Sequence, residues 1–327
     1  MIADAHSEAE EAVAVAVEAL GDMARDFHAV RIGADRGVFS SVWHLSRRRP
    51  TPGPFASVVV KMPKSGINGD AARRSGAYDR EEQAYRSLLF AELPTPECFG
   101  IVATLNGPAF VLDDLTSLRF VDQLDGLDLP HVEAVVDALG SCHHLIDPTI
   151  AHGLGVRHVT PATFDRSALR RGLGALPSEA IPGFTSLLDG ASEAIDAFAS
   201  LADPVLCHGD PRADNLAFIN KIDGPVALLY DWQQIAIQAG EADLAWLLAT
   251  SVSADSRRSM EPVVFARYAQ ITGRHPDEVA QRYKTSMVVP GLAVLLLAQR
   301  RAVGRLADVV ATSVERIGAA VADHLLL

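Results

Sequence analysis

The stretch LCHGDPRADNLAF, from Leu206 to Phe218, concentrates polar side chains between two short apolar runs. Within it, the residues able to do chemistry are His208, Asp210, Arg212, Asp214 and Asn215. Two carboxylates, a carboxamide, a cation and an imidazole in one short turn are uncommon in a structural loop. This stretch is therefore the first candidate for a functional site.

The residues after this stretch predict a β-hairpin. One apolar run follows Asn215 and a second ends just before Asp231, with an Asp-Gly pair between them. One register of this hairpin pairs Ile219 with Val226. In that register Asp231 lies opposite Asp214 and diagonal to Asn215, with Cα atoms roughly 5–7 Å apart. The hairpin would then carry Asn215 and Asp231 together at its open end.

The side chains at this end favour phosphoryl transfer. The amide oxygen of Asn215 and the carboxylate of Asp231 are hard ligands of the kind that Mg²⁺ binds together with water and substrate phosphates. Asp210, in the same turn, could accept the proton of a substrate hydroxyl. Phosphoryl transfer needs these two functions and also a cation on the phosphates that are not transferred.

These residues resemble a known family. The pattern His208-Gly209-Asp210, then Asn215, then Asp231-Trp232 resembles that of aminoglycoside phosphotransferases and choline kinases, small-molecule relatives of protein kinases. The fuller pattern is closer to the choline kinase-like and ecdysteroid kinase-like branch: it consists of HGDPRADNLAF from His208, YDWQ from Tyr230 and DLAWLL from Asp243. The resemblance implies an α+β, protein kinase-like fold with a β-sheet N-lobe and a mainly helical C-lobe. It also implies that Asp210 is the catalytic base and that Asn215 and Asp231 bind Mg²⁺.

The resemblance extends into the N-terminal half. The strand-like run SVVVKMP, which ends at Pro63, resembles the strand whose lysine, here Lys61, holds the α and β phosphates of ATP. The helical segment that begins at Tyr78 resembles the helix whose glutamate pairs with that lysine. Glu81 is the expected partner, and Glu82 is its rival by one position.

Two further segments resemble parts of a nucleotide site. Gly33 and Gly37 lie between two predicted strands where a protein kinase has a loop with three glycines. The run FVLDDL, which ends at Leu115, resembles the hinge whose backbone binds adenine, so Asp113 and Leu115 are expected at the nucleotide. Residues 1–114 are therefore predicted to form the nucleotide-binding N-lobe. Residues 115–327 are predicted to form the C-lobe, with the catalytic loop and an acceptor site built from the irregular stretch 147–182 and the late helices.

Several polar and aromatic residues have a second interpretation. We expect His208 to bond backbone within its loop, His143 and His144 to pack in the core, and Asp243 to anchor the catalytic loop through backbone hydrogen bonds. Arg212 contacts phosphate or substrate, or pairs with a carboxylate such as Asp214, and both interpretations stay open. The tryptophans that we expect in the core are Trp232 and Trp246.

Composition limits the partners. The chain has 29 basic and 41 acidic residues, a net charge of −12, which argues against nucleic acid as a partner. Its three cysteines lack metal-ligand spacing and are typical of reduced thiols in a cytoplasmic protein. The apolar segment from Met287 to Ala298 is too short to cross a membrane, so no membrane association is expected. The helical segment 8–28 is expected to pack on its own N-lobe, and the protein is predicted to be a monomer or a homodimer.

The sequence thus predicts a kinase for a small molecule. It would transfer the γ-phosphoryl group of ATP, with Mg²⁺, to a hydroxyl of an aminoglycoside, choline or another alcohol. The alternative is a catalytically silent, kinase-like regulatory protein that only binds nucleotide. A kinase for protein substrates is disfavoured, because the chain lacks the H-R-D and D-F-G forms.

Overall fold

The computed structural model describes residues 2–34, 39–48, 55–86, 93–145, 165–178, 180–299 and 303–325. The chain divides into two compact units, Met1–Leu118 and Arg119–Leu327. The first contains the main β-sheet and the second is mainly helical. This composition confirms the predicted α+β class.

The first unit is built on a five-stranded antiparallel sheet with the strand order β1-β2-β3-β5-β4. Alternate residues of β3, Val58 and Val60, are fully buried, as expected of a strand with one face on a core. The elements in chain order are α1 (Ile2–Leu20), β1 (Phe27–Ile32), β2 (Ser40–Arg47), β3 (Ser57–Pro63), α2 (Gly66–Arg74), α3 (Ala77–Arg86), β4 (Cys98–Thr104) and β5 (Gly107–Leu112).

Helix α1 packs on this sheet, as predicted for the segment 8–28. Val15 on its buried face belongs to the same apolar core as the sheet strands. The predicted end of the helix was wrong, because Gly21 adopts a φ of 74° and the chain turns there toward β1. Close approach of helix and sheet also requires a glycine in β4, since a Cβ on Gly100 would lie 2.6 Å from the Cβ of Ala19.

In the second unit, helices surround two short antiparallel strand pairs, β6-β9 and β7-β8. Helix α8 is its centre, because every residue of α8 except Trp246 is buried. The elements are α4 (Leu129–Leu145), α5 (Arg166–Leu173), α6 (Ile181–Asp189), α7 (Ala191–Ala199), β6 (Val205–Cys207), β7 (Leu216–Lys221), β8 (Gly224–Leu229), β9 (Ala236–Gln238), α8 (Glu241–Ser251), α9 (Ala254–Thr272), α10 (Pro276–Ser286), α11 (Val288–Ala298) and α12 (Arg305–His324).

Some elements differ from the sequence predictions. Helix α2 was not predicted, because it has few apolar residues and begins with a glycine. Helix α9 was predicted to begin after Pro262 but begins at Ala254, where Ser253 caps it by accepting a hydrogen bond from the Ser256 N–H. In the irregular stretch 147–182, α5 forms over part of the sequence, and residues 147–164 lie outside the described residues.

Candidate functional site

A buried ion pair joins β3 and α3 in the first unit. The Lys61 Nζ donates to both carboxylate oxygens of Glu81, at 2.6 and 2.8 Å. Glu81 is fully buried and Lys61 is 8% exposed, so each charge depends on the other for its solvation. Glu82 instead pairs with Arg86 at the surface side of the helix. The geometry therefore selects Glu81 over its neighbour as the partner of the lysine.

The other predicted nucleotide contacts in this unit are backbone features. Gly33 follows β1 with a φ of 56°, the left-handed region that glycine adopts readily, and Gly37 lies outside the described residues. The Asp113 N–H donates to the Glu97 carbonyl, and the Leu115 carbonyl accepts from Leu118. An adenine contact at this segment would use the remaining backbone groups of Asp113 and Leu115.

The hairpin β7-β8 has the register considered from the sequence, with Ile219 opposite Val226. Its open end is fixed by Tyr230, whose N–H donates to the Asn215 carbonyl at 3.1 Å and whose hydroxyl donates to the Asp214 carbonyl at 2.7 Å. Asp231 follows in a left-handed conformation, with a φ of 67°. Left-handed backbone at a residue other than glycine is uncommon and concentrates at functional sites.

Asp210 and Asn215 are in direct contact in the turn before β7. The Asn215 Nδ2 donates to the Asp210 carbonyl at 2.9 Å and to its carboxylate Oδ2 at 3.1 Å. The other carboxylate oxygen, Oδ1, accepts from the indole Nε1 of Trp246 at 2.7 Å. Arg212 lies beside the same carboxylate, with its Nε 3.5 Å from Oδ2. The carboxylate orientation is thus set by donors on both oxygens.

The electrostatic environment of Asp210 combines opposing effects. Burial raises the pKa of this carboxyl above its ordinary value, the charge of Arg212 lowers it, and the charge of Asp231 raises it again. In turn, the Asp210 carboxylate raises the pKa of the Arg212 guanidinium. The ion pair that the structure shows for Arg212 is with Asp210, whereas Asp214 was the carboxylate named from the sequence; contact of Arg212 with phosphate or substrate stays a prediction.

The donor set fits a magnesium ion. Both amide contacts of Asn215 run from its nitrogen to Asp210, so its side-chain oxygen is the atom left to bind a cation. Asp231 supplies a carboxylate at the same end of the hairpin, after the last pair Leu216 and Leu229. Hard oxygen donors with no sulfur or imidazole among them suit Mg²⁺ better than a transition metal.

A buried aspartate holds the loop that carries Asp210. The Asp243 carboxylate accepts from the backbone N–H groups of His208 and Gly209, at 2.7 and 2.9 Å, and contacts His143 Nε2 at 3.1 Å. This confirms the predicted anchoring role of Asp243. Gly209 is required here, because its φ is 82° and a Cβ would lie 2.1 Å from the Gln234 carbonyl oxygen.

The structure confirms the predictions for two histidines and contradicts the prediction for a third. His208 is fully buried and its Nε2 contacts the Tyr230 carbonyl at 3.0 Å, which confirms its predicted structural role. His143 is buried beside Asp243 and Tyr268, as predicted for the core. The same prediction was wrong for His144, which is exposed because adjacent helical residues point about 100° apart.

Sequence reasoning missed two contacts of this site. Trp246 was predicted to be a core residue, like the fully buried Trp232, but it is partly exposed and bonds to Asp210. Its position three residues after Asp243 on one helix was an available signal, because residues spaced by three share a face. Arg305 at the start of α12 donates to Asp214 and to Asp122, at 3.0 and 2.8 Å, and no local pattern marks it.

One family model matches the chain over most of its length. The model of the phosphotransferase enzyme family matches residues 38–281. No curated protein matches the chain. Among the described residues, no helix is both long enough and apolar enough for a transmembrane span.

Solved structures share the fold at low sequence identity. A GDP complex of wild-type aminoglycoside 2′-phosphotransferase-IIIa has a TM-score of 0.63 and 14% identity, covering 96% of this chain and 99% of that one. A microcompartment-associated aminopropanol kinase has a TM-score of 0.61 and 12% identity, over 96% and 97% of the two chains. A choline/ethanolamine kinase family protein from Mesorhizobium loti has a TM-score of 0.56 and 16% identity, covering 94% of this chain and 93% of that one. These likenesses confirm the protein kinase-like fold.

Proposed function

Because the chain belongs to the phosphotransferase enzyme family and is a small-molecule kinase, we propose that it transfers the γ-phosphoryl group of ATP to an alcohol of a small acceptor with Mg²⁺. The observation that carries this proposal is the contact between Asp210 and Asn215 in one turn, with Asp231 at the adjoining end of the hairpin. A base and a cation-binding pair in one place are what direct transfer to a hydroxyl needs.

Asp210 is the proposed base. A carboxylate has about four lone-pair sites, and the hydrogen bonds from Trp246 and Asn215 use one on each oxygen. Oδ1 therefore keeps a site that can accept from the acceptor hydroxyl, whereas Oδ2 also has Arg212 beside it. Asp210 would orient this hydroxyl toward the phosphorus atom and take its proton as the bond forms.

The remaining residues would bind the nucleotide. Asn215 and Asp231 would hold Mg²⁺, which when bound neutralises charge on the phosphate oxygens. Lys61, fixed by Glu81, would bind the α and β phosphates. The Arg212 guanidinium beside the base would stabilise negative charge on the group in transfer. Backbone groups would contact the rest of the nucleotide at the segments that contain Gly33, Gly37, Asp113 and Leu115.

The acceptor class is open to direct assay. The proteins named among the structural neighbours act on aminoglycosides, choline or ethanolamine, and aminopropanol, which all combine a hydroxyl with an amino or ammonium group. The chain itself has a net charge of −12, which is compatible with such cations. We therefore propose an alcohol of this kind as the acceptor and a cytoplasmic location, the latter supported by three free cysteines.

The test is phosphate transfer from ATP or GTP, with Mg²⁺, to a panel of amino alcohols, aminoglycosides, macrolides, sugars and steroid alcohols. Product is detected as the phosphorylated acceptor by mass spectrometry, which distinguishes transfer from nucleotide hydrolysis. The Asp210→Ala variant should bind nucleotide normally and lose most of the rate. Nucleotide binding without transfer to any panel member would favour the silent regulatory protein instead.

A further inference from the structure

Trp246 is the single partly exposed residue of a helix that is otherwise buried. The other residues of α8 lie in the interior of the second unit, so the helix forms a fixed support. The indole Nε1 of Trp246 donates to the Asp210 Oδ1 at 2.7 Å. A tryptophan N–H has one proton to donate and accepts nothing, so this contact can only hold an oxygen acceptor in place.

The carboxylate of Asp210 receives its two donors from different parts of the chain. Asn215 lies in the same turn and would also serve as a ligand of the cation, so its amide has a second task. Trp246 lies 36 residues after Asp210 and has no such task. It is therefore the donor that can hold the carboxylate in one orientation whether or not nucleotide and metal are bound.

The same helix also fixes the backbone of the loop. Asp243, three residues before Trp246, accepts hydrogen bonds from the N–H groups of His208 and Gly209. Residues three apart share one face of a helix, so this face of α8 holds both the backbone and the side chain that position the base. The two contacts together define where the Asp210 carboxylate lies and how its plane is turned.

We propose that Trp246 is a positioning residue for the phosphoryl transfer. Its indole N–H holds Oδ1 of Asp210, so that the carboxylate meets the acceptor hydroxyl in one orientation. The inference rests on the proposed function, because it concerns the base of that reaction. Misplacement of a reacting group by about 1 Å can cost about a hundredfold in rate, so loss of this single contact should be visible in kcat.

The test compares two substitutions that differ in one N–H group. Trp246→Phe keeps an aromatic ring but has no donor. Trp246→His has a five-membered ring in which Nε2 is reached from Cβ by the same number of bonds as the indole Nε1. We expect Trp246→Phe to lower kcat by about 10- to 100-fold with little change in the KM values, and Trp246→His to recover part of that loss.

A matched control is available in the first unit. Trp43 is 3% exposed, and its indole Nε1 has no hydrogen-bond partner among the described residues. Trp43→Phe therefore makes the same chemical change without removing a hydrogen bond. We expect this variant to keep the wild-type kcat, which separates loss of the Trp246 contact from loss of an indole as such.

The outcomes separate the inference from the proposed function. If the wild-type protein transfers no phosphate to any acceptor, the proposed function fails and the inference fails with it. If it turns over and Trp246→Phe has the wild-type kcat, the inference alone is overturned. Equal losses in the Phe and His variants, with matching falls in their urea unfolding midpoints, would also overturn it, because they would indicate a packing role.

Discussion

The hydrogen bonds by which Asp243 holds the loop that carries Asp210 lead to a quantitative prediction for Asp243→Asn. Asparagine has nearly the same shape, but it presents one acceptor oxygen and one donor nitrogen where the native residue has two acceptors. The carboxylate accepts from the N–H groups of His208 and Gly209 and is fully buried. One of these two N–H groups must therefore face the amide nitrogen and lose its acceptor.

The cost has two parts. A buried N–H without a partner costs about 1–3 kcal/mol. The hydrogen bond that survives loses its charged acceptor and hence about 1 kcal/mol, because bonds to ionised groups are roughly twice as strong as neutral ones. We expect the free energy of unfolding of Asp243→Asn to fall by about 2–4 kcal/mol, a large share of the 5–15 kcal/mol that is typical of a protein.

Equilibrium unfolding in urea measures this change, and kcat measures its effect on the loop that carries Asp210. The matched control is Asp255→Asn, at a side chain that is 97% exposed and contacts Arg258 on its own helix. The control should leave both stability and kcat at their wild-type values. If Asp243→Asn is as stable and as active as the control, the proposed anchoring of the loop is refuted.

Three further substitutions test other contacts of the structure. Gly209→Ala should nearly abolish activity, because its Cβ would overlap a backbone carbonyl at 2.1 Å and its φ of 82° disfavours alanine; kcat of the purified variant checks this. Arg305→Ala should lower the free energy of unfolding by about 1–3 kcal/mol, by analogy with other lost charged hydrogen bonds, and should lower kcat, because one of its aspartate partners adjoins Asn215. Asp323→Asn should make stability less sensitive to acid in urea unfolding between about pH 5 and about pH 2.

The sign of the last effect follows from the pKa of Asp323. Burial raises this pKa, but hydrogen bonds from Arg258 and Arg257 lower it more, so the pKa of the carboxyl is below its ordinary value in the folded protein. A carboxyl whose pKa is lower in the folded state stabilises the fold at pH values above its unfolded-state pKa. That stabilisation is lost as the pH falls through the folded-state pKa. If the stability of Asp323→Asn falls with acid as steeply as that of the wild type, this reasoning is contradicted. Unchanged stability in Arg305→Ala, or full activity in Gly209→Ala, would contradict the corresponding prediction for that variant.

The sequence was most informative where local patterns determine structure. An Asp-Gly pair between two short apolar runs was enough to predict the hairpin β7-β8, whereas its register stayed open in the sequence and is fixed by the structure, with Ile219 opposite Val226. The strand with Lys61 and the helix with Glu81 were also predicted, although their ion pair joins residues 20 positions apart. The choice between Glu81 and Glu82 needed the structure, because it depends on how the helix is rotated against the sheet.

Contacts between distant segments could not be predicted in the same way. Arg305 meets Asp214 across 91 positions of sequence, and nothing in the composition around either residue indicates this pair. Trp246 was assigned to the core, because the sequence does not report where an indole N–H points. The early start of α9 was missed because proline usually interrupts a helix, whereas Pro262 lies inside this one.

The proposed function depends most on the claim that Asn215 and Asp231 bind Mg²⁺ beside Asp210, the proposed base. The most direct test is calorimetric titration of the protein with ATP, once with Mg²⁺ and once with a chelator. The titration compares the wild-type protein with Asp231→Asn, because asparagine also tolerates the left-handed backbone at this position. In the wild type we predict that Mg²⁺ tightens ATP binding at least about tenfold, because the chelator removes a charged contact of about 1.4 kcal/mol or more. In Asp231→Asn we predict that Mg²⁺ tightens ATP binding only slightly. The same ATP affinity with and without Mg²⁺ in the wild-type protein would contradict the claim.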